Sequence, residues 1–263
     1  MRSGLLLAAA AATAISHGCD DRRRPGCGKV AIALVGGFSD ITRGGGHHAK
    51  FSSTRAINAS HPLTRAWVRV TSKSLRKHVR EPLAEAYASA ADVFVYSWDR
   101  PLEAYFAERY QPVAAEYADN GPVLAQLSHL KGTLPKKCAQ EACHARGMHY
   151  SRSDATRAHA VGHMHAASAS WAYAVREVHR LITAHEARRG GLEYEAVYFG
   201  RPDIYMYKSL AAARVPEGTV LMPSPGFGDN FFLMARDNAR RFSEMYHVAE
   251  TSYGCEIGTF LSL

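Results

Sequence analysis

The sequence predicts an α/β fold, in which a mostly parallel central sheet is flanked by helices to form three layers. Residues 29–37, KVAIALVGG, form a continuous β-branched run, which is typical of a strand buried on both faces. Similar short runs recur along the chain and alternate with stretches of helical periodicity, which favours helices packed on a parallel sheet. A chain of 263 residues that is 47% hydrophobic is long enough to bury such a core.

The first half of the chain predicts a loop, a helix and a second strand. Residues 39–62, including GGGHHAK, lack periodicity and are predicted to form a loop. From Ser74 onward, apolar residues recur three to four positions apart, which predicts a helix interrupted or restarted at Pro82. Its predicted inner residues are Leu75, Val79, Leu83, Tyr87 and Ala90. Residues 91–98, ADVFVYSW, predict the second strand, and 121–127, GPVLAQL, are a candidate third.

The second half predicts one long helix followed by short strands. The helix runs from about Ser153, which can cap it, to Arg189, and Gly190 and Gly191 end it. Its predicted inner face carries Ala158, Val161, Ser168, Ala172, Val175, Val178 and Ile182. Strand-like runs follow at 195–199, 218–224 and 230–236, separated by turn residues. A last helix is predicted at 238–248, with Phe242, Met245 and Tyr246 inside.

The N-terminal residues predict entry into the secretory pathway. Arg2 precedes an uncharged apolar run from Leu5 to Ile15, and small residues follow near Ser16 and Gly18. This layout is typical of a signal peptide, with a retained membrane anchor or a poorly folded apolar N-terminus as alternatives. The expected organisation is a signal or short anchor at 1–18, a linker at 19–28 and a single domain at 29–263. The expected location is the Golgi or endoplasmic reticulum lumen, or secretion, with membrane association through the N-terminus only.

The five cysteines fit an oxidising compartment better than a zinc site. Cys138 and Cys143 are close enough in sequence to close a short loop, and Cys27 and Cys255 can also pair. Sequence does not determine the connectivity, so both pairings stay open. A zinc site needs a second ligand pair at suitable spacing, and the cysteines do not supply one.

Charge and missing motifs narrow the function. The net charge of +8 comes from scattered basic residues without a nucleic-acid module, which favours a phosphate-bearing small molecule over nucleic acid. The nucleophile elbow of serine hydrolases, the Rossmann G-x-G-x-x-G and the P-loop are all missing from the sequence. His159 and His163 are four apart on the predicted long helix and can share a metal, although a solvated helix face is the favoured interpretation.

The segment EYEAVYFGRPDIYM, residues 193–206, carries the strongest chemical signal. A predicted buried strand leads directly into Arg201, Pro202 and Asp203, and open α/β sheets bind ligands beyond the carboxyl ends of their strands. Arg201 can hold a pyrophosphate with its planar guanidinium, and Asp203 can hold a metal ion or a sugar hydroxyl. The alternative is an Arg–Asp pair that stabilises a turn shaped by Pro202.

The order of these features resembles glycosyltransferases of the nucleotide-diphospho-sugar transferase (GT-A) type. The resembling segments are VAIALVGGF, ADVFVYSWD, YFGRPDIYM and GDNFFLMARDNARRF, which together span about residues 29 to 250. The resemblance implies a Rossmann-like three-layer sandwich that transfers a sugar from a nucleotide-sugar donor to a hydroxyl of a glycan or glycoconjugate. It further implies that Gly36 and Gly37 lie near the nucleotide, that Asp99 lies beside the nucleotide pocket, and that Arg201 and Asp203 lie at the sugar-phosphate side.

The resemblance also implies an acceptor side and raises the question of a metal. Asp229 would act as general base on the attacking hydroxyl, with Asn230 near the acceptor. Many members hold Mg²⁺ or Mn²⁺ with Asp-x-Asp, but Asp203 is followed by Ile204 and Tyr205, so the second carboxylate is missing. Asp203 is therefore the one candidate metal ligand in this motif, and a metal-free mechanism that uses arginine is the alternative. The rival function is a secreted carbohydrate-binding or structural α/β protein without turnover.

Overall fold

The structure is a computed structural model that describes residues 27–38, 58–119, 154–210, 214–221 and 231–244, with side chains of the long helix described from residue 170 onward. The strands are β1 (Val30–Val35), β2 (Ala91–Ser97), β3 (Ala114–Tyr117), β4 (Ala196–Gly200), β5 (Val220–Leu221) and β6 (Phe231–Ala235). The α-helices are α1 (Pro62–Leu75), α2 (Glu81–Ala86), α3 (Glu103–Tyr110), α4 (Asp154–Arg188) and α5 (Arg236–Ser243). A π-helical turn (Arg76–Arg80) joins α1 to α2, and a 3₁₀ turn (Arg100–Leu102) precedes α3.

The described strands form one six-stranded mixed sheet in the order β3-β2-β1-β4-β6-β5. β3, β2, β1 and β4 are parallel neighbours, whereas β6 runs antiparallel to both β4 and β5. The predicted α/β class, with helices flanking a sheet, is confirmed. The predicted strands at 29–37, 91–98, 195–199 and 230–236 are confirmed with small shifts of their ends.

The two faces of the sheet are covered by different helices. Alternate residues of β1 point to opposite faces. Val30, Ile32 and Leu34 pack with α1, α2 and α3, whereas alanines 31 and 33 and Val35 pack with α4 and α5. All six residues are fully buried, which explains why this strand shows no polar alternation in the sequence. Each large side chain buried here contributes about 1.5–3 kcal/mol of hydrophobic stabilisation.

The first helix begins at Pro62, twelve residues before the predicted start, so the helical residues 62–73 were not predicted. The described part of the predicted loop at 39–62, residues 58–61, lies outside helices and strands. Residues 39–57 of that loop lie outside the described residues. Thr64, Val68 and Thr71 form the buried face of the first turns, and two of these three residues are polar. Thr71 satisfies its hydroxyl by bonding the carbonyl of Trp67 at 3.1 Å. An inner face built partly from threonine does not produce the apolar periodicity on which the prediction depended.

The predicted interruption near Pro82 is confirmed as a π-helical turn followed by α2, with Pro82 at its start. Proline has no N–H, so it cannot donate to the carbonyl of His78 four residues earlier. The backbone N–H of Leu210 donates to that carbonyl instead, at 2.8 Å. The break in the helix therefore gives the segment around Leu210 a fixed place. The predicted inner residues Leu75, Val79, Leu83 and Tyr87 are buried, whereas Ala90 is only half-buried.

The long helix α4 confirms the predicted helix at 153–189 to within one residue at each end. Its described inner face is made of Ala172, Val175, Val178 and Ile182, all buried, as the sequence predicts. The predicted inner residues 158, 161 and 168 and the predicted cap at 153 lie outside the described side chains. The helix ends because Gly190 and Gly191 adopt φ angles of 74° and 83°, which only glycine adopts without strain.

Two described elements were not predicted, namely α3 and the edge strand β3. β3 has the sequence AAEY and is only partly buried, so it lacks the apolar run of the central strands. The candidate third strand at 121–127 lies outside the described residues. α5 begins two residues before the predicted 238, and its Phe242 packs on Phe199 and Phe232 as expected for an inner residue. Met245 and Tyr246 lie outside the described residues.

The predicted signal or anchor at 1–18 and most of the 19–28 linker also lie outside the described residues. Cys27 is disulfide-bonded, and the other four cysteines lie outside the described part of the chain. Within the described ranges, no helix combines the length and the apolarity needed to cross a bilayer.

Candidate functional site

The strand order creates a topological switch point between β1 and β4. From β1 the chain adds β2 and β3 on one side, and it then returns through α4 to place β4 on the other side of β1. At such a point the loops beyond the carboxyl ends of the two central strands turn in opposite directions. The crevice that they leave is where open α/β sheets bind their ligands.

The register brings the three candidate loops to the same level at this edge. Val35 of β1 pairs with Tyr96 of β2, and Leu34 pairs with Gly200 of β4. The glycine pair after β1, Asp99 after β2 and Arg201 after β4 therefore leave adjacent strands within one or two residues of each other. Neighbouring strands lie about 4.8 Å apart, and β1 lies between β2 and β4. The loops after β2 and β4 therefore begin about 10 Å from each other, one on each side of the glycine loop.

The glycine loop and Asp99 are in direct contact. Gly36 has a φ angle of 89° and donates its N–H to the carbonyl of Tyr96 at 3.0 Å, which turns the chain sharply after β1. The next backbone N–H, that of Phe38, donates to the Asp99 carboxylate. A Cβ atom on Gly37 would lie 3.6 Å from the same carboxylate oxygen. Gly36, Gly37 and Asp99, predicted separately from two strands, thus form one unit at the carboxyl edge.

Arg201 and Asp203 form a bidentate ion pair with each other. Arg201 donates from Nε to one carboxylate oxygen of Asp203 at 3.0 Å and from Nη2 to the other at 2.8 Å. The Asp203 side chain is only 3% exposed and that of Arg201 is 21% exposed. This is the geometry of the alternative interpretation, in which the pair stabilises the turn. Both Asp203 oxygens accept from a cation already, so the arrangement does not fit a metal ligand.

Hydrogen bonds connect the turn at Pro202 to helices α1 and α3. The hydroxyl of Tyr110 donates to the Pro202 carbonyl at 2.8 Å and lies 3.1 Å from the hydroxyl oxygen of Thr71. Burial raises the pKa of Tyr110 well above its ordinary value, and the nearby Asp203 carboxylate raises it further. Tyr110 therefore stays a neutral donor at any physiological pH. No local sequence pattern marks Tyr110, because 92 positions separate it from its partner.

Aromatic side chains lie near this edge on both faces of the sheet. Phe38 meets Phe106 of α3 edge-on, with ring centroids 6.0 Å apart. On the other face Trp98, which directly precedes Asp99, stacks on Tyr173 of α4 at 6.0 Å and 26°. Arg176 lies over the ring of Tyr173 at 4.6 Å. This edge of the sheet thus carries a carboxylate beside aromatic side chains, which are among the groups found in small-molecule sites.

The residues predicted for the acceptor side and for a histidine metal site lie outside the part of the chain whose side chains are described. Asp229 and Asn230, the expected general base and acceptor contact, lie outside the described residues. The side chains of His159 and His163 also lie outside them. Among the residues that the structure describes, no group of three or more histidine, cysteine or acidic side chains is arranged to hold a metal ion.

A second buried charge cluster lies on the opposite face and joins α4 to α5. Glu186 accepts from Nε and Nη2 of Arg236, both at 2.7 Å, and Arg236 Nη1 lies 2.7 Å from Nε2 of His179. Burial, followed by the positive charge of Arg236, lowers the pKa of His179 to about 4. Neutral His179 can therefore accept a hydrogen bond from Arg236. The cluster packs two helices together and lies away from the carboxyl edge, so we assign it to stability.

Comparison with known protein families, with curated proteins and with solved structures finds no match.

Proposed function

We propose that this protein is a lumenal or secreted glycosyltransferase that binds a nucleotide-sugar donor in the crevice between β1 and β4. The observation that carries the proposal is the hydrogen bond from the Phe38 N–H to Asp99, together with the register that sets Arg201 at the same edge. The ordered resemblance to GT-A enzymes supports the same site. A Rossmann-like GT-A sandwich is accordingly part of the proposal.

Each described residue has a proposed part in donor binding. Asp99 lies two residues beyond β2, and an acidic side chain after a strand accepts hydrogen bonds from ribose hydroxyls in nucleotide-binding sheets. Gly36 and Gly37 let the nucleotide approach the backbone closely, because they present no side chain. Arg201 neutralises the diphosphate charge that develops as the sugar leaves, with Asp203 fixing the plane of its guanidinium.

The proposal includes no step through a metal ion, because Asp203 is engaged by Arg201. Neutralisation of the negative charge on the leaving diphosphate is assigned to Arg201 alone. Dependence on Mg²⁺ or Mn²⁺ is a separate prediction that chelation tests. The general base, Asp229, stays a prediction from the resemblance, and it would take the proton of the attacking glycan hydroxyl.

The disulfide at Cys27 supports the proposed location. Disulfides persist in secretory compartments and outside cells, whereas the cytosol keeps most thiols reduced. The apolar N-terminal run predicted as a signal leads to the same compartment.

A second candidate function is a carbohydrate-binding or structural protein that keeps the fold without turnover. The specific observation in its favour is the closed Arg201–Asp203 pair, because a pair that only holds a turn needs no ligand. The two candidates differ in whether a nucleotide sugar is bound and cleaved.

Donor hydrolysis tests the proposal directly. The full chain is incubated with a panel of nucleotide sugars, with Mn²⁺ or with EDTA, and nucleotide release is measured beside thermal unfolding. We expect release from one donor class and a rise in its unfolding temperature, both reduced in Asp99→Asn. The matched control is Glu108→Gln, an exposed acid on α3. No release and no thermal shift with any donor would refute the glycosyltransferase proposal and favour the carbohydrate-binding or structural function.

A further inference from the structure

Helix α1 and the π-helical turn carry a row of positive side chains on their solvent face. No acidic residue occurs between Pro62 and Arg80. Arg69, Lys73 and Lys77 follow each other at intervals of four residues and are all exposed. Residues at this spacing lie on one side of a helix, about 6 Å apart along its axis.

This row is unfavourable for the isolated fold. Like charges four residues apart destabilise a helix by about 0.2–0.5 kcal/mol per pair. Among the described residues, none of Arg69, Lys73 and Lys77 forms an ion pair that would offset this repulsion. An anionic partner would offset this repulsion, because it would attract all three cations.

Two exposed tyrosines lie on the segment that runs along the same helix. Ser74 holds this segment, because its hydroxyl donates to the Met206 carbonyl at 2.6 Å and accepts from the Met206 N–H at 2.8 Å. Met206 packs inward, whereas its neighbours Tyr205 and Tyr207 are 50% and 71% exposed. Lys208 is exposed next to them. Two large aromatic side chains exposed this close together in sequence offer apolar surface to a partner.

We propose that these residues form a binding surface for an acidic polysaccharide. The surface, called here the basic–aromatic surface, consists of Arg69, Lys73, Lys77, Tyr205, Tyr207 and Lys208. It lies next to the candidate site, because Tyr205 follows the Arg201–Asp203 turn by two residues. The proposal does not depend on transferase activity.

The geometry favours a linear polyanion over a single phosphate group. Cations that bind one phosphate converge on a point, whereas Arg69, Lys73 and Lys77 follow the helix axis over about 12 Å. The exposed tyrosines offer flat apolar faces and hydroxyl groups, which suit sugar rings bearing acidic groups. Nucleic acid shares part of this chemistry, but the disulfide at Cys27 favours a compartment where acidic polysaccharides are the abundant polyanions.

Titration of the full chain with heparin, at low and moderate salt, tests the proposal. Arg69→Gln/Lys73→Gln/Lys77→Gln should weaken heparin binding about tenfold or more and reduce its salt dependence. Tyr205→Ser/Tyr207→Ser should weaken binding about threefold or more while leaving the salt dependence unchanged. Thermal unfolding of both variants should stay close to that of the native protein, because all five side chains are exposed.

The matched control removes the same charge from the opposite face of the sheet. Arg188, Arg240 and Arg241 are exposed on α4 and α5, and their triple glutamine variant should keep most of its heparin affinity. Equal losses in the two triple variants would show nonspecific charge attraction and overturn the proposal. Tighter binding of duplex DNA or of phosphatidylserine vesicles than of heparin would also overturn it, in favour of a different partner.

Discussion

The Arg201–Asp203 pair gives the most informative test of the site, because its two interpretations differ in stability. Removing one partner of a buried ion pair costs about 3–5 kcal/mol, since the other charge is left buried and unpaired. Here Asp203 is almost fully buried but Arg201 is about one-fifth exposed, so water reaches the stranded guanidinium. We therefore expect Asp203→Ala to lower the free energy of unfolding by about 2–3 kcal/mol.

A double-mutant cycle isolates the pair from the other effects of truncation. Arg201→Ala, Asp203→Ala and the double variant are unfolded in urea, and the expected coupling energy is about 2 kcal/mol. The exposed pair Asp237 and Arg240, separated by 3.7 Å, is the control and should couple by less than about 0.5 kcal/mol. A coupling of that small size at Arg201 and Asp203 would refute the assignment of Asp203 as the residue that orients Arg201.

Ligand binding separates the two residues further. Arg201→Ala should weaken binding of a nucleoside diphosphate about tenfold or more, because a charge-assisted contact to phosphate is lost. Asp203→Asn keeps the guanidinium and one carboxamide acceptor, so its loss of affinity should be smaller. If Asp203→Asn abolished binding and Arg201→Ala did not, Asp203 itself would contact the ligand and the reasoning would fail.

Two further predictions concern stability. Gly28→Ala should destabilise the fold by about 2 kcal/mol or more in urea unfolding, because its Cβ would lie 2.3 Å from the Ala90 carbonyl oxygen; a change under about 0.5 kcal/mol would contradict the close packing at that edge. The lowered pKa of His179, about 4, means that the unfolded chain takes up a proton more readily than the folded one. Neutral His179 therefore contributes about 3 kcal/mol at most to the free energy of unfolding. This contribution is complete above about pH 6.5 and is lost as the pH falls towards 4. His179→Gln keeps an acceptor for Arg236 without titrating, so its unfolding temperature should fall less between pH 7 and 5 than that of the native protein; parallel curves would contradict the prediction.

The sequence predicted the central strands and the long helix well, because their patterns are strong. β1 and β2 are buried on both faces, so β1 is a continuous apolar run and β2 is apolar except for Asp92 and Ser97. α4 ends at two glycines whose φ angles require that residue. The start of α1 was missed because Thr64 and Thr71 form part of its buried face. β3 was missed because an edge strand is half solvated and carries polar residues such as Glu116.

For the site, the sequence could predict which loops meet but not how their side chains pair. Gly36 and Asp99 follow parallel strands, and the carboxyl ends of parallel neighbours lie at one edge. The contact between Asp203 and Arg201 depends on the shape of one turn, for which the sequence allowed both a ligand-binding and a structural interpretation. The support from Tyr110 was beyond prediction, because hydrogen bonds between distant segments leave no local pattern.

The proposed nucleotide site is tested most directly by calorimetric titration of the full chain with uridine, guanosine, cytidine and adenosine diphosphates. We expect at least one of them to bind with a stoichiometry of one. Asp99→Asn should weaken that binding about tenfold or more, because a neutral amide accepts ribose hydroxyls less strongly than a carboxylate does. The variant keeps an acceptor for the Phe38 N–H, so its unfolding temperature should stay unchanged. Absence of binding by the native protein, or equal affinity in Asp99→Asn, would contradict a nucleotide site at this edge of the sheet.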